Sequence, residues 1–244
     1  MQGIPLVQPG DQLAELIQQA LEQESIALRD GDILVLAQKI VSKAENRYAN
    51  LDEVKPTPRA SEIAALTEKD ARLVQLILDE SREVVRALPG LLIVEHRLGF
   101  ISANAGIDHS NVEASEKRVL LLPKDPDLSA AQIRQGLEGA SGVRLGVLII
   151  DSHGRAWRQG TLGVTIGLSG LPGLQDLRGR PDLFGNELRI TQVAVADELA
   201  AAASLLMGQA DENCPAVHVR GFPYSLRESS LGELLRPKDQ DAFR

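Results

Sequence analysis

The chain has 244 residues, of which 43% are apolar and 25% charged, an ordinary composition for a globular protein. Its aromatic residues are four Phe, two Tyr and one Trp, too few for an aromatic surface that reads single-stranded nucleic acid. A net charge of −8 argues against a general polyanion binder, because duplex binding needs a sustained basic face. We therefore expect no nucleic-acid partner. A small anionic ligand, which needs only a few cations, stays compatible with this charge.

The cysteine and histidine content limits the kinds of metal site. A single cysteine, Cys214, excludes an intrachain disulfide and any multi-cysteine site. The four histidines have no i, i+4 pairing, so a His-rich zinc site is not expected: His96, His109, His153 and His218.

No segment predicts a membrane or secreted protein. The longest apolar run, residues 145–150, is interrupted by Gly146 and is far shorter than the roughly 18 residues of a membrane span. Residues 1–5 lack the charged and apolar regions of a signal peptide. We expect a cytoplasmic protein with no membrane partner.

Apolar periodicity and turn residues predict the elements of the first half of the chain. Asp11 is expected to cap a helix carrying Leu13, Leu16, Ile17 and Leu21. The expected elements that follow are a buried strand at 33–37, a polar loop at 42–59, one or two helices at 61–88 ending before Pro89-Gly90, and paired strands at 91–94 and 100–103.

The second half continues the alternation of strands and helices. The expected elements are strands at 119–122, 144–150, 162–168 and 217–220, and helices at 129–137 and 192–207. Because the strands come partly in adjacent pairs, the pattern predicts a mixed α/β or α+β fold rather than a doubly wound Rossmann sheet. Neither a Walker loop nor a G-x-G-x-x-G fingerprint occurs.

Two segments place carboxylates where a hard cation could bind. Asp108 follows the small residues 104–106, and Asp151-Ser152 follows the apolar run 144–150. Carboxylate and hydroxyl oxygens suit Mg²⁺ or Mn²⁺. The alternatives are an Asx turn at Asp108 and a strand-to-turn cap with His153-Gly154 as the turn.

Two further segments have polar residues that suit a phosphate or a metal. Lys39 and Lys43 lie on one face if residues 38–43 are helical, which would give a phosphate clamp or merely two solvated lysines. Gly208-Gln209, after the predicted helix 192–207, offers an oxygen ligand or an ordinary glycine C-cap.

Taken together and in order, these segments resemble the coenzyme F420-0:L-glutamate ligase family, also called F420-0 γ-glutamyl ligases. The matching segments run from residue 3 to about 221 and are GIPLV (3–7), PGD (9–11), IVSKAE (40–45), NAGID (104–108), SNV (110–112), DSHGR (151–155), WRQG (157–160) and MGQAD (207–211). The resemblance implies a family-specific mixed α/β fold, neither Rossmann nor P-loop. It also implies one domain over residues 1–244, or two intertwined lobes, with no appended nitroreductase-like domain.

The activity that the resemblance implies is GTP-dependent addition of L-glutamate to coenzyme F420-0, followed by further γ-linked glutamates, through an acyl phosphate. The resemblance also implies two divalent cations per active site (Mn²⁺ or Mg²⁺), a supporting K⁺ and a homodimer. Two alternatives stay open: a related nucleotide-dependent amide ligase with another acceptor, and a metal-dependent GTP-binding module without turnover.

The resemblance also implies site residues. The metal ligands would be Asp108 and Asp151 for one cation, and Ser152 and Gln209 for the second. The GTP site would be lined by Ile4, Pro5, Leu6, Val7, Gln38, Lys43, Asn111, Met207, Gly208, Gln209, Ala210, Asp211, Glu212, Asn213 and Cys214. The chain departs from the family pattern at Gln38, where a small hydroxyl residue is common. It departs again at His109 and His153, which replace residues that are usually acidic and aromatic.

Overall fold

A computed structural model of the chain describes residues 1–109 and 117–242, in which helices and strands alternate. The α-helices of these residues are α1 (Leu13–Gln23), α2 (Gln38–Ala44), α3 (Pro58–Thr67), α4 (Ala71–Asp79), α5 (Pro126–Ser141) and α6 (Val195–Met207). The strands are β1 (Ile33–Ala37), β2 (Tyr48–Asn50), β3 (Ser81–Leu88), β4 (Leu91–His96), β5 (Ile101–Ala103), β6 (Arg118–Leu120), β7 (Gly146–Arg155), β8 (Arg158–Ser169), β9 (Gln175–Asp176), β10 (Gln192–Val193) and β11 (Ala216–Val219).

The main sheet has four strands in the order β11-β1-β7-β8. Strands β1 and β7 are parallel, whereas β11 and β8 join them antiparallel. The apolar side chains of β1 and of the first half of β7 are buried on both faces, which is why these segments read as continuous apolar runs. Helix α6 packs closely on β8 at Gly163, where a Cβ would lie 2.5 Å from the carbonyl oxygen of Ala200.

A second hydrophobic cluster forms between residues 46 and 122. Its three-stranded sheet has the order β3-β4-β5 with antiparallel pairing, and helices α3 and α4 pack beside it. The short strands β2 and β6 pair next to this cluster. The chain therefore has one hydrophobic core around the main sheet and a separate core formed by this second cluster.

The expected fold class is confirmed, because helices combine with several mixed sheets. The described part of the main sheet contains one parallel pair, β1–β7, whereas a doubly wound sheet is mostly parallel. The strands at 33–37, 91–94 and 100–103 were also predicted correctly. Within residues 1–109 and 117–242, no helix has the length and apolar content that a membrane crossing requires.

Three predictions for the first half were wrong. The polar segment 42–59 is not a plain loop, since α2 runs to Ala44 and β2 pairs with β6. The predicted helical region 61–88 ends as strand β3, because pairing with β4 outweighs local helical propensity. Asp11 does not cap α1: the N-cap residue is Gln12, and the Asp11 carboxylate accepts the backbone N–H of Gln8 at 2.8 Å.

Two boundaries in the second half differ as well. The strand predicted to end at residue 150 continues to Arg155, so His153-Gly154 lies within β7 and is no turn. The helix predicted from residue 192 begins at Val195, because Gln192–Val193 pairs with β9. In both places the pairing with another strand sets the boundary: β8 for the end of β7, and β9 for residues 192–193.

Candidate active site

A cavity of about 450 Å³ opens where the parallel strands β1 and β7 run side by side at Ala37 and Ile150. Its volume falls in the range of roughly 300–1,000 Å³ typical of small-molecule sites. The lining comes from four separate segments: Pro5, Leu6, Val7; Ala37, Gln38, Lys39, Ile40, Lys43; Ile150, Asp151, Ser152; and Ser204 with residues 207–215.

Helix α2 begins directly after β1 and directs Lys39 and Lys43 to the cavity. The segment is helical, so the two lysines are one turn apart on one face, and both line the cavity. Gln38, at the start of α2, is buried and holds two polar partners. Its Oε1 accepts the Ser42 hydroxyl at 2.8 Å, and its Nε2 donates to Asp108 Oδ2 at 3.0 Å.

Asp108 is positioned by a tight left-handed turn. Asn104, Ala105 and Gly106 have φ values of 51°, 53° and 66°, a region that costs energy for the non-glycine residues. Ala105 is fully buried in the second core, and the Asp108 backbone pairs with Leu120 in both directions at 2.9 Å. The packing that enforces this turn brings the Asp108 carboxylate to Gln38 and to Lys39, whose Nζ lies 3.3 Å from Oδ2.

Asp151 and Ser152 follow a β-bulge in the pairing of β7 with β8. The register shifts between Ile149 and Ile150, and a bulge of this kind redirects the side chains that follow it. The Ser152 hydroxyl donates to Gln209 Oε1 at 2.7 Å, which ties β7 to the loop after α6. On Asp151, Oδ2 lies 3.1 Å from His153 Nε2.

The loop after α6 begins at a glycine that no other residue replaces without strain. Gly208 has φ 73° and ψ −176°, a conformation essentially restricted to glycine, and a Cβ there would lie 2.1 Å from the carboxyl carbon of Glu212. Glu212 accepts the backbone N–H of Ala210 at 2.8 Å, and such backbone hydrogen bonds hold its pKa below the usual value. The glycine is thus both the C-cap of α6 and the origin of a fixed cavity wall.

Three residues that line this cavity, Asp151, Ser152 and Gln209, carry side-chain oxygen atoms that could bind a metal ion. In residues 1–109 and 117–242 no group of three or more His, Cys, Asp or Glu side chains is arranged to hold a metal ion. The set around Asp151, however, also includes a hydroxyl and an amide oxygen. Ser152 Oγ and Gln209 Oε1 are 2.7 Å apart, close to the ~3 Å between neighbouring oxygens of an octahedral site with ~2.1 Å bonds. The donor chemistry fits a hard divalent cation.

Most residues that the resemblance assigned to GTP and metal line this one cavity. The exceptions among the GTP residues are Ile4, which is buried in the main core, and Asn111, which lies outside the described residues. Asp151, Ser152 and Gln209 line the cavity, whereas Asp108 reaches it through its contacts with Gln38 and Lys39. Five other lining residues were not assigned to the site from the sequence, since their positions depend on packing: Ala37, Ile40, Ile150, Ser204 and Pro215.

Comparison with known proteins places the whole chain among enzymes of one kind. The family model described as F420-0:Gamma-glutamyl ligase matches residues 3–221. A protein named coenzyme F420:L-glutamate ligase from Methanothermobacter thermautotrophicus is 49% identical, covering 100% of this chain and 97% of its own length. Proteins of the same name from Methanopyrus kandleri and Archaeoglobus fulgidus are 46% and 45% identical, over 100% of this chain and 97% and 94% of theirs. The chain therefore belongs to the F420-0:γ-glutamyl ligase family.

Proposed function

We propose that this protein is a ligase of coenzyme F420 biosynthesis that uses GTP to join L-glutamate to coenzyme F420-0 and then adds further γ-linked glutamates. The observation that carries the proposal is similarity over the full chain to relatives named coenzyme F420:L-glutamate ligase. The cavity supports it, since lysines and carboxylates from three distant segments line it.

In this proposal GTP occupies the cavity between α2 and the loop 207–214. Lys43 contributes a positive charge of the kind that phosphate sites use, and Lys39 lies one turn away on the same helix. The apolar residues Pro5, Leu6 and Val7 offer a surface for the base. The residue assignments follow the resemblance, although Ile4 is buried in the main core and does not line the cavity.

Mn²⁺ or Mg²⁺ would be held by Asp108 and Asp151 at one position and by Ser152 and Gln209 at the second. When bound, such cations neutralise the charge that develops on a transferred phosphoryl group. Lys39 now contacts Asp108 Oδ2 at 3.3 Å, so a cation at Asp108 competes with this ammonium group for the same carboxylate. K⁺ is included among the proposed cofactors on the family resemblance.

The carboxylate of F420-0 must be activated, because a free carboxylate does not condense with an amine at a useful rate. Transfer of the γ-phosphoryl group from GTP to the F420-0 carboxylate gives an acyl phosphate and GDP. The glutamate amine then attacks the acyl carbon, loses a proton and expels phosphate as the amide forms. The chain's part is to hold the phosphates with Lys43 and to align carboxylate and γ-phosphate, for which positioning and charge stabilisation suffice. No protein nucleophile is needed.

We further propose that the working form is a homodimer. Several large apolar side chains are strongly exposed in the monomer, which is typical of an interaction surface: Trp157, Leu183, Phe184 and Ile190. Light scattering at micromolar concentration is expected to give twice the monomer mass of 26.3 kDa. A monomeric mass would contradict this part of the proposal.

The decisive experiment is mass spectrometry of F420-0 incubated with the protein, GTP, Mn²⁺, K⁺ and L-glutamate. Products heavier by one and then more glutamate residues are expected, with stoichiometric release of GDP and phosphate. GTP should support faster turnover than ATP at equal concentration. GTP consumption with another acceptor acid alone would indicate a related amide ligase, and GTP binding without turnover under all conditions would indicate a binding module.

A further inference from the structure

His153 lies beside the carboxylate that we assign to a cation, and the strand explains why. Residues i and i+2 of a strand share a face, so the imidazole of His153 lies next to the side chain of Asp151 on β7. The His153 Nε2 to Asp151 Oδ2 distance is 3.1 Å. His153 is buried, although it sits between exposed residues near the end of a hairpin.

A column of rings holds the imidazole in place. The Phe100 ring packs on His153 with centroids 5.3 Å apart at a 47° tilt. On its other side Phe100 stacks on His96, with centroids 5.0 Å apart and planes within 3°. All three rings are buried, so this packing restrains the orientation of the His153 ring.

The far end of the column is anchored by a buried charge cluster. Glu80 lies 3.7 Å from His96 Nε2 and pairs with Arg47 at 2.9 Å and Arg97 at 3.1 Å. Burial raises the pKa of Glu80, but the contacts with His96 and the two arginines outweigh it and hold the pKa below its usual value. The His96 end of the ring column therefore contacts an ionised carboxylate, Glu80, that two arginine ion pairs hold in place.

We propose that His153 is a positioning residue for Asp151. It donates its Nε2 proton to Oδ2, fixes the carboxylate rotamer and leaves the second carboxylate oxygen for the divalent cation. This inference rests on the proposed function, in which Asp151 is a metal ligand. Partners that orient a metal ligand typically change metal affinity by about 10–100-fold when removed.

The test measures Mn²⁺ binding to the metal-free protein from the EPR signal of unbound Mn²⁺. His153→Phe fills the same space without a donor, and we expect roughly tenfold weaker binding. His153→Gln keeps an N–H donor and is expected to recover most of the affinity. His218→Phe removes a histidine from another Asp contact, with Asp32 at 2.8 Å, and should leave Mn²⁺ affinity unchanged.

The outcomes separate this inference from the proposed function. If Asp151→Asn binds Mn²⁺ as the unaltered protein does, the metal assignment fails and the positioning role fails with it. If Asp151→Asn loses Mn²⁺ but His153→Phe does not, only the positioning role is overturned. Equal losses in His153→Phe and His153→Gln would assign His153 to packing and overturn it too. Thermal midpoints without metal, expected to change little, show that each variant is folded.

Discussion

Two aspartate–histidine contacts lie in the same sheet, one at each end. Asp151 contacts His153 beside the cavity, and Asp32, just before β1, contacts His218 of β11 at 2.8 Å. Because β11 is antiparallel to β1, Pro215 lies at the cavity and His218 lies toward the other end of the sheet. Both contacts place an imidazole Nε2 beside a carboxylate oxygen, but the surroundings of the two carboxylates differ.

Asp32 has both of its oxygens engaged. Arg220 donates to Oδ1 at 2.9 Å and to Oδ2 at 2.7 Å, and the backbone N–H of Arg29 donates to Oδ2 at 2.9 Å. Burial raises the pKa of Asp32, but the hydrogen bonds from Arg220 and His218 outweigh it and lower the pKa to about 2. This carboxylate joins strands and has no capacity left for a ligand.

Asp151, in contrast to Asp32, can still bind a ligand through its carboxylate. In the part of the chain that the structure describes, its side chain contacts His153 through Oδ2, and the residue lines a cavity together with a hydroxyl and an amide. The comparison teaches that an Asp–His contact leaves room for a ligand only where the carboxylate is not already saturated by other donors. Variants at the two ends should therefore differ in what they damage.

The largest effects are expected at the cavity carboxylates. Asp151→Asn or Asp108→Asn keeps the side-chain size but removes a negative ligand charge, so glutamate addition should fall by about 100-fold or more and Mn²⁺ affinity should drop. The proteins should stay folded without metal. Activity assays, Mn²⁺ titration and thermal midpoints with and without Mn²⁺ measure this. Near-normal turnover in either variant would remove that residue from the metal site.

A backbone change at the cavity end should be nearly as damaging. Gly208→Ala forces a side chain into a glycine conformation and against Glu212, at a cost of order 1–3 kcal/mol, and shifts the loop that lines the cavity. We expect weaker GTP binding by calorimetry and a lower thermal midpoint. Gly139→Ala in α5, where a Cβ meets nothing within 4 Å, is the matched control and should be neutral or stabilising. Equal behaviour of the two variants would contradict the assigned role of the loop.

Removing the lysine charge should weaken the nucleotide selectively. Lys43→Ala is expected to raise the KM for GTP by about tenfold and to change the KM for glutamate little, because an ammonium group acts first on phosphate. Lys55→Ala on the exposed surface is the control and should change neither constant. A rise in the glutamate KM alone would place Lys43 at the amino-acid site instead.

The smallest effect on activity, and a clear one on stability, is expected at Asp32. Asp32→Asn loses charged hydrogen bonds worth about 2 kcal/mol, which lowers the Tm by roughly 4–8 °C in a chain of this length. Because the folded pKa of about 2 lies below the unfolded value near 3.9, Asp32 stabilises fully above about pH 5 and loses this contribution as pH falls towards 2. The Tm difference between the two proteins should therefore shrink on acidification, while Mn²⁺ affinity at neutral pH stays unchanged. A constant difference from pH 7 to pH 2 would contradict the role given to its charge.

The sequence predicted an element correctly where the side chains of that element determine its conformation. The apolar run of β1 and the adjacent strands β4 and β5 were both predicted correctly. Strand β3 was wrongly predicted as helix, because its sequence continues the apolar content of α4 and only its pairing with β4 decides its conformation. The extension of β7 through Asp151 was missed for the same reason, since β8 supplies the partner strand.

By itself the sequence determined the alternation of helices and strands, the absence of a Walker loop, and an ordered set of segments that pointed to one family. Tertiary structure alone decided which polar groups meet: Gln38 with Asp108, 70 positions apart, and Ser152 with Gln209, 57 apart. Contacts at such separations depend on the register of β1 and β7, the bulge before Asp151 and the close packing of α6 on Gly163. None of these is set by neighbouring residues, because each arises from the free energy of burying two distant apolar surfaces against each other.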